Sequence, residues 1–230
     1  GTLAEYVAVT SAAVSKKPGN ISFEEAASIP LAGLTALQSL EFAGIKENDK
    51  VLIHAGSGGV GSFAIQYAKT KGAYVYTTTS TTNVQWVKAL GADRVIDYKT
   101  EDYKSIVKDA DIVFDTLGQN YTAEAFEVIK NGGKVVSVVG PLDEESAQMF
   151  GMNDYKLPDE LASLVRDREA SYKFIFMHPN GAHLEAIKSL MEDEKIKPII
   201  DTIYPFSESI DAFSHLASGR AKGKIVIKIN

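Results

Sequence analysis

From residue 51 to residue 61 the sequence reads VLIHAGSGGVG, and no other stretch restricts the fold as strongly. An apolar run, Val51 to Ile53, stops at a cluster of glycines. Beyond it Phe63, Ala64, Ile65, Tyr67 and Ala68 recur at helical spacing. This predicts a buried strand, a tight turn and a helix. Gly56, Gly58 and Gly61 fit G-x-G-x-x-G. In that spacing the first glycine permits the sharp turn out of the strand. The second lets backbone approach a pyrophosphate, and the third lets the helix pack closely on the strand. The helix start adds free N–H groups and the positive end of its dipole, which suit an anion.

The rest of the chain repeats this alternation. Strands are expected at residues 73–79, 94–97, 111–115 and 134–139, with helices at 83–90, 102–108 and 121–130 between them, the last closed by Asn131-Gly132-Gly133. Short links between such elements mean a doubly wound α/β fold, with a parallel sheet covered by helices on both faces. Before the glycine stretch, residues 3–9 read as a strand, Ser22 caps a helix start, Pro30 interrupts it, and a second helix covers 33–42. After it, 143–158 is irregular and 159–166 helical. A sixth strand is expected at 172–177, a helix at 181–191, a strand at 199–204, a helix at 207–217 and a last strand at 225–229.

Composition narrows the function classes. The 230 residues suffice for one large domain, or one domain with a small partner. The net charge of −6 argues against a nucleic-acid surface built on bulk positive charge. No apolar run approaches the ~20 residues of a membrane span. Cysteine is absent, which removes disulfides, thiolate nucleophiles and Cys-ligated zinc from this chain. A cytoplasmic protein is the expectation. The first residue is Gly rather than Met, so a piece of a longer polypeptide is expected.

The cofactor is read at the end of strand two, where an acid about 20 residues past the glycines would bond the 2′-hydroxyl of NAD. Ser80 stands there, within Thr77-Thr78-Thr79-Ser80-Thr81-Thr82-Asn83. A carboxylate would repel a 2′-phosphate, whereas small hydroxyls donate to it, and the helix starting near Asn83 offers N–H groups. NADP(H) is therefore favoured over NAD(H). The missing acid also counts against S-adenosylmethionine.

Taken together, several segments resemble the medium-chain dehydrogenases/reductases. Gly1-Thr2-Leu3-Ala4-Glu5-Tyr6-Val7 is similar to their G-T-x-A-E-Y segment, and Pro30-Leu31-Ala32-Gly33-Leu34-Thr35-Ala36 to P-x-A-G-x-T-A. His54 to Gly61 resembles the H-A-x-x-G-G-V-G loop of the zinc-independent quinone and enone reductase branch. Leu90-Gly91-Ala92-Asp93, Val95-Ile96-Asp97-Tyr98 and the terminal Gly219-Arg220-Ala221-Lys222-Gly223-Lys224 continue the series. The resemblance implies a Rossmann domain at 19–198, strand order 3-2-1-4-5-6, and remnants of a β-rich GroES-like domain at 1–18 and 199–230. It also implies NADPH as cofactor, a quinone or α,β-unsaturated carbonyl as substrate, and a homodimer joined through strand six. Ala32 stands where zinc alcohol dehydrogenases carry a cysteine ligand.

The cofactor set expected from residues and resemblance is Thr35, Gly56, Ser57, Gly58, Gly59, Val60, Gly61, Ser80, Thr81, Asn83, Tyr98, Leu117, Gly118, Val139 and Gly140. Tyr98 is implied near the adenosine phosphate, Thr35 and Gly140 near the nicotinamide side. Asn83 replaces the lysine that the family often places there. His54 reads as structural rather than as an acid–base group. His178, His183 and His215 lack metal-ligand spacing, and Arg220 and Lys222 fit a solvated turn better than a phosphate contact. No catalytic acid is assigned. Two rival readings stay open: a nucleotide-binding module without turnover, and a relative of the zinc alcohol dehydrogenases.

Overall fold

A computed structural model describes residues 2–229. Gly1, the first residue of the N-terminal motif, lies outside the described residues. Residues 3–9 form no strand. No strand among the described residues lies beside them to complete a ladder, and Tyr6 is 91% exposed. A β-forming composition without a pairing partner stays irregular. The β-rich element expected at the N-terminal end is therefore not formed.

The first helices are α1 (Phe23–Ala27) and α2 (Pro30–Phe42). Ser22 and Glu25 cap α1 reciprocally. Pro30 begins α2 rather than breaking a helix, since its missing N–H is no loss in the first turn. Then come β1 (Lys50–Ile53), α3 (Gly59–Thr70), β2 (Tyr74–Thr79), α4 (Val84–Ala89), β3 (Arg94–Asp97), α5 (Tyr103–Ile106), β4 (Ala110–Asp115), α6 (Asn120–Val128) and β5 (Ile129–Ser137). They are followed by α7 (Glu144–Met149), α8 (Asp159–Asp167), β6 (Ser171–Phe174) and α9 (Gly181–Glu192).

Six strands form one parallel sheet in the order β3-β2-β1-β4-β5-β6, so β6 is an edge. Both faces are buried. Val51 and Ile53 of β1 join a core shared with α2, α3 and α9, while Leu52 between them joins a second core with α5, α6 and α8. That period of two explains why β1 reads as an unbroken apolar run. The open order puts the carboxyl ends of β1 and β4 side by side at the switch point, where ligands of such sheets bind.

The sequence expectation misplaces β5. Helix α6 stops at Val128 and the chain enters the strand at Ile129, which pairs with Ala110. Asn131-Gly132-Gly133 lies within the strand, at a register shift against β4, and does not close a helix. Likewise β6 ends at Phe174, earlier than expected, and the irregular stretch 143–158 contains α7, capped by Asp143.

The last segment makes a separate two-stranded parallel sheet from β7 (Ile200–Pro205) and β8 (Lys224–Lys228), joined by α10 (Ser209–Ala217). Gly223, just before β8, bridges to Gly58 of the glycine loop.

Candidate nucleotide site

The loop after β1 is built by close backbone packing. The left-handed turn falls on Ala55 (φ 51°), not on Gly56 as the glycine spacing suggests. Gly56 is required for another reason: a Cβ there would fall well inside 3.0 Å of Thr77 Oγ1 on β2. A Cβ on Gly61 would collide with the carbonyl of Ala55, so helix and loop approach as closely as the third glycine allows. Gly58 is different. It caps α3, and a Cβ there would meet a single atom within 4 Å, Ala55 O at 3.4 Å, so the protein alone leaves room for a side chain.

A cleft of about 1330 Å³ opens beside this loop. Its walls come from Ala55 and Ser57, from residues 78–83 after β2, from 98–104 after β3, from Leu117 and Tyr121 after β4, and from 219–222 before β8. Of the expected cofactor residues, Ser57, Ser80, Thr81, Asn83, Tyr98 and Leu117 line it. Gly59, Val60 and Gly61 form the first turn of α3. Gly118, Val139 and Gly140 gather at the carboxyl ends of β4 and β5, where a Cβ on Gly118 would meet Val139 at 2.9 Å. Thr35 is buried in α2 and donates its hydroxyl to Leu31 O at 2.7 Å.

Charge in the cleft is uneven. Its acids are engaged: Glu101 pairs with Arg94, Asp102 accepts from Lys104 N at 3.0 Å, and Glu124 accepts from Tyr103 OH at 2.9 Å. Lys99, Arg220 and Lys222 line the same cleft, and none forms an ion pair among the described residues. Lys99 Nζ lies 5.2 Å from the Tyr98 ring centroid. Arg220 and Lys222 are exposed, as a solvated turn would have them, and they also line the cleft wall. Their distance along the chain from the glycine loop hid this.

Residue Asp97, at the end of β3 and paired with Thr79, escaped the sequence reading. Its carboxylate accepts from Lys99 N at 3.0 Å and interacts with the Thr81 hydroxyl, which holds its pKa below the usual carboxylate range. Two features fit a dinucleotide. Thr79 Oγ1, buried at the cleft, has no hydrogen-bond partner among the described residues. The open side of Gly58 is the space into which a side chain would otherwise project.

Beneath the cleft lie two buried polar groups. Asp115 is fully buried and saturated: Oδ1 accepts from Leu117 N and Gly118 N at 2.9 Å each, and Oδ2 from Thr122 Oγ1 at 2.6 Å and Ser137 Oγ at 3.1 Å. It shapes the turn that presents Leu117. His54 is also fully buried, edge-on to Tyr103 and Tyr121, with Nε2 unpartnered among the described residues. Burial lowers its pKa to about 4, against a smaller upward pull from Asp115. The unfolded histidine titrates near 6.5, so below that pH the unfolded state binds a proton the folded state refuses. This residue's contribution is full above pH 6.5 and is lost as pH falls, reaching roughly 3 kcal/mol near pH 4. His54→Gln is expected to flatten that acid limb in urea unfolding between pH 4 and 7.

Comparison with known proteins agrees with this geometry. Residues 90–227 match the zinc-binding dehydrogenase family. The chain belongs to that family. Within the medium-chain dehydrogenases/reductases it falls in the quinone and enone oxidoreductase branch. The 2-methylene-furan-3-one reductase of Solanum lycopersicum is 38% identical over 99% of this chain and 52% of its own length. The quinone oxidoreductase of Coxiella burnetii superposes with a TM-score of 0.80 at 34% identity, covering 94% of this chain and 63% of that one. The quinone oxidoreductase of Thermus thermophilus, solved also in complex with NADPH, gives a TM-score of 0.80 at 25% identity, covering all of this chain and 74% of that one. The chain thus spans about half the length of the first of these relatives. Although the family is called zinc-binding, this member has no cysteine, and no group of three or more His, Cys, Asp and Glu side chains gathers among the described residues to hold a metal. No helix among the described residues is long and apolar enough to cross a membrane.

Proposed function

We propose that this chain is the nucleotide-binding part of an NADPH-linked reductase of quinones or α,β-unsaturated carbonyls that works without zinc. The observation that carries the reading is the end of β2: a run of hydroxyls with no carboxylate, opening on a cleft walled by Lys99, Arg220 and Lys222. The division of labour in the family supports residues 19–198 as the dinucleotide domain, with 1–18 and 199–230 belonging to a second one. Homodimers would join through the β6 edge, and a monomer by size-exclusion chromatography would count against that.

When bound, the nicotinamide supplies hydride to the quinone or to the enone β-carbon. The chain's own work is positioning. The N-terminus of α3 and the open face of Gly58 accept the pyrophosphate. The Ser80 hydroxyl and Asn83 donate to the 2′-phosphate, Thr81 stands beside them with its hydroxyl on Asp97, and the cleft cations balance the phosphate's charge. Leu117, Gly118, Val139 and Gly140 meet the nicotinamide half from the ends of β4 and β5. Val139 is 51% exposed, so that half lacks a cover that would keep water from the ring. This favours a second reading, a module that binds NADPH and does not turn over alone.

Two measurements separate these readings. NADPH is titrated by its own fluorescence and a quinone is then added: oxidation supports the reductase, binding without oxidation the module. Ser80→Asp is expected to weaken NADPH at least about 30-fold through like-charge repulsion, and NADH far less. Equal losses would remove Ser80 from the 2′-phosphate site.

A further inference from the structure

We propose that Asp201 is a positioning residue for this site: from β7 it ties down the segment that carries Arg220 and Lys222 along the cleft. The inference rests on the NADPH reading above.

Residues 219–222 form a strap between α10 and β8, with no regular ladder of their own. Few bonds hold it. Arg220 N donates to Ser218 Oγ at 3.3 Å on one side, and Gly223 N donates to Ser57 O at 2.9 Å on the other. Between them, Lys222 N donates to Asp201 Oδ2 at 3.2 Å. Asp201 reaches it because the β7–β8 pairing shifts register between Ile200 and Thr202, which leaves Asp201 as the extra residue. Such a bulge turns a side chain away from its regular alternation, and bulges gather next to functional sites.

The carboxylate is held in turn. His215 Nε2 lies 3.2 Å from the same Oδ2, and His215 Nδ1 lies 3.1 Å from Tyr204 OH. In the neutral ring a single tautomer serves both contacts: Nε2–H donates to Asp201 and Nδ1 accepts from the Tyr204 hydroxyl. The chain of groups therefore runs from β7 through α10 back to β7, and from there to the strap. The Asp201 and His215 side chains are 21% and 25% exposed, and the Lys222 N–H contact to Asp201 lies at the surface.

A strap fixed before the ligand arrives spares the ordering cost of two long cationic side chains at the moment of binding. Without Asp201 the Lys222 N–H turns to water, and the strap is held only at its ends. If the cluster served merely to stabilise the β7–α10–β8 unit, its loss would affect binding whether or not the strap carried its cations. The test uses that difference.

NADPH dissociation constants are measured by fluorescence for the unaltered chain, Asp201→Ala, the pair Arg220→Ala with Lys222→Ala, and all three together. Asp201→Ala is expected to weaken binding about tenfold and the triple variant to bind no worse than the pair, because both changes remove one coupled unit. Asp201→Asn, which keeps an oxygen for Lys222 N–H, is expected to restore most of the affinity. A triple variant weaker than the pair by the full Asp201→Ala factor overturns the proposal, as does unchanged affinity in Asp201→Ala. If Asp201→Ala fails to fold, His215→Gln takes its place in the same cycle, with about threefold weakening expected and the same additivity test. If the unaltered chain binds no NADPH, the reading of the site itself falls and this inference with it. Binding together with an additive cycle sinks the inference alone.

Discussion

Alanine at Gly58 is expected to leave the protein folded but to weaken its hold on the nucleotide about 100-fold, whereas alanine at Gly61 is expected to destabilise the fold. At Gly58 the backbone has an ordinary φ of −81°, and an added Cβ meets nothing closer than Ala55 O at 3.4 Å. The fold tolerates the methyl group, and the melting temperature should move by no more than about 2 °C. In the site proposed above, the methyl group would occupy the space through which a pyrophosphate approaches the loop, so affinity for NADPH is expected to fall about 100-fold. At Gly61 the added Cβ falls inside 3.0 Å of three backbone atoms of Ala55 and Gly56, which cannot swing aside. Helix α3 must lift from the loop, at a cost of about 3 kcal/mol, or about 6–12 °C in melting temperature for a domain of this size. Thermal melts and fluorescence titrations on both variants check the contrast. Similar destabilisation in the two would reassign Gly58 from ligand approach to packing.

The second large effect is expected at Asp115. Replacing it with alanine strands two backbone N–H groups and the hydroxyls of Thr122 and Ser137 in a region closed to water. Buried unsatisfied donors cost about 1–3 kcal/mol each, and partial relaxation brings the total to about 3–5 kcal/mol. The loss is local in origin and wide in reach, since the carboxylate joins β4, α6 and β5. Asp115→Asn keeps acceptor oxygen for part of the set and should lose about half as much. Urea midpoints at pH 7 measure both. A loss under 1 kcal/mol in Asp115→Ala would mean that water enters and replaces the carboxylate.

What the sequence made legible follows physical range. Strands β1 and β4 are visible because a parallel strand buried on both faces reads as an apolar run, and β2 because Tyr, Val and Thr are β-forming residues even where they are not apolar. The glycine loop is visible because its constraints are local. The start of β5 is not, since Ile129 becomes strand only by pairing with Ala110, a contact that no periodicity records. Residues 3–9 err the other way: their composition suits a strand, and no partner among the described residues completes one. At the site, the hydroxyls from Thr77 to Thr82 are readable as a group. The cations opposite them are not, because the β7–α10–β8 unit carries Arg220 and Lys222 to the cleft from far along the chain. Asp201 was hidden for the same reason, whereas Asp97 gains its role only from the pairing of β3 with β2, which sets it beside Thr79. Ala55 is a subtler case, since glycine-rich spacing draws attention to the glycines while the left-handed residue is their alanine neighbour.

The bridge between Gly58 and Gly223 also sets an order of assembly. On the ribosome the glycine loop emerges long before the segment that walls it. The six strands of the large sheet can pair while that wall is still being made. A nascent or prematurely stopped chain would therefore own a sheet and a glycine loop yet have only part of its cleft, which makes grip on a nucleotide a report on whether synthesis has passed β8.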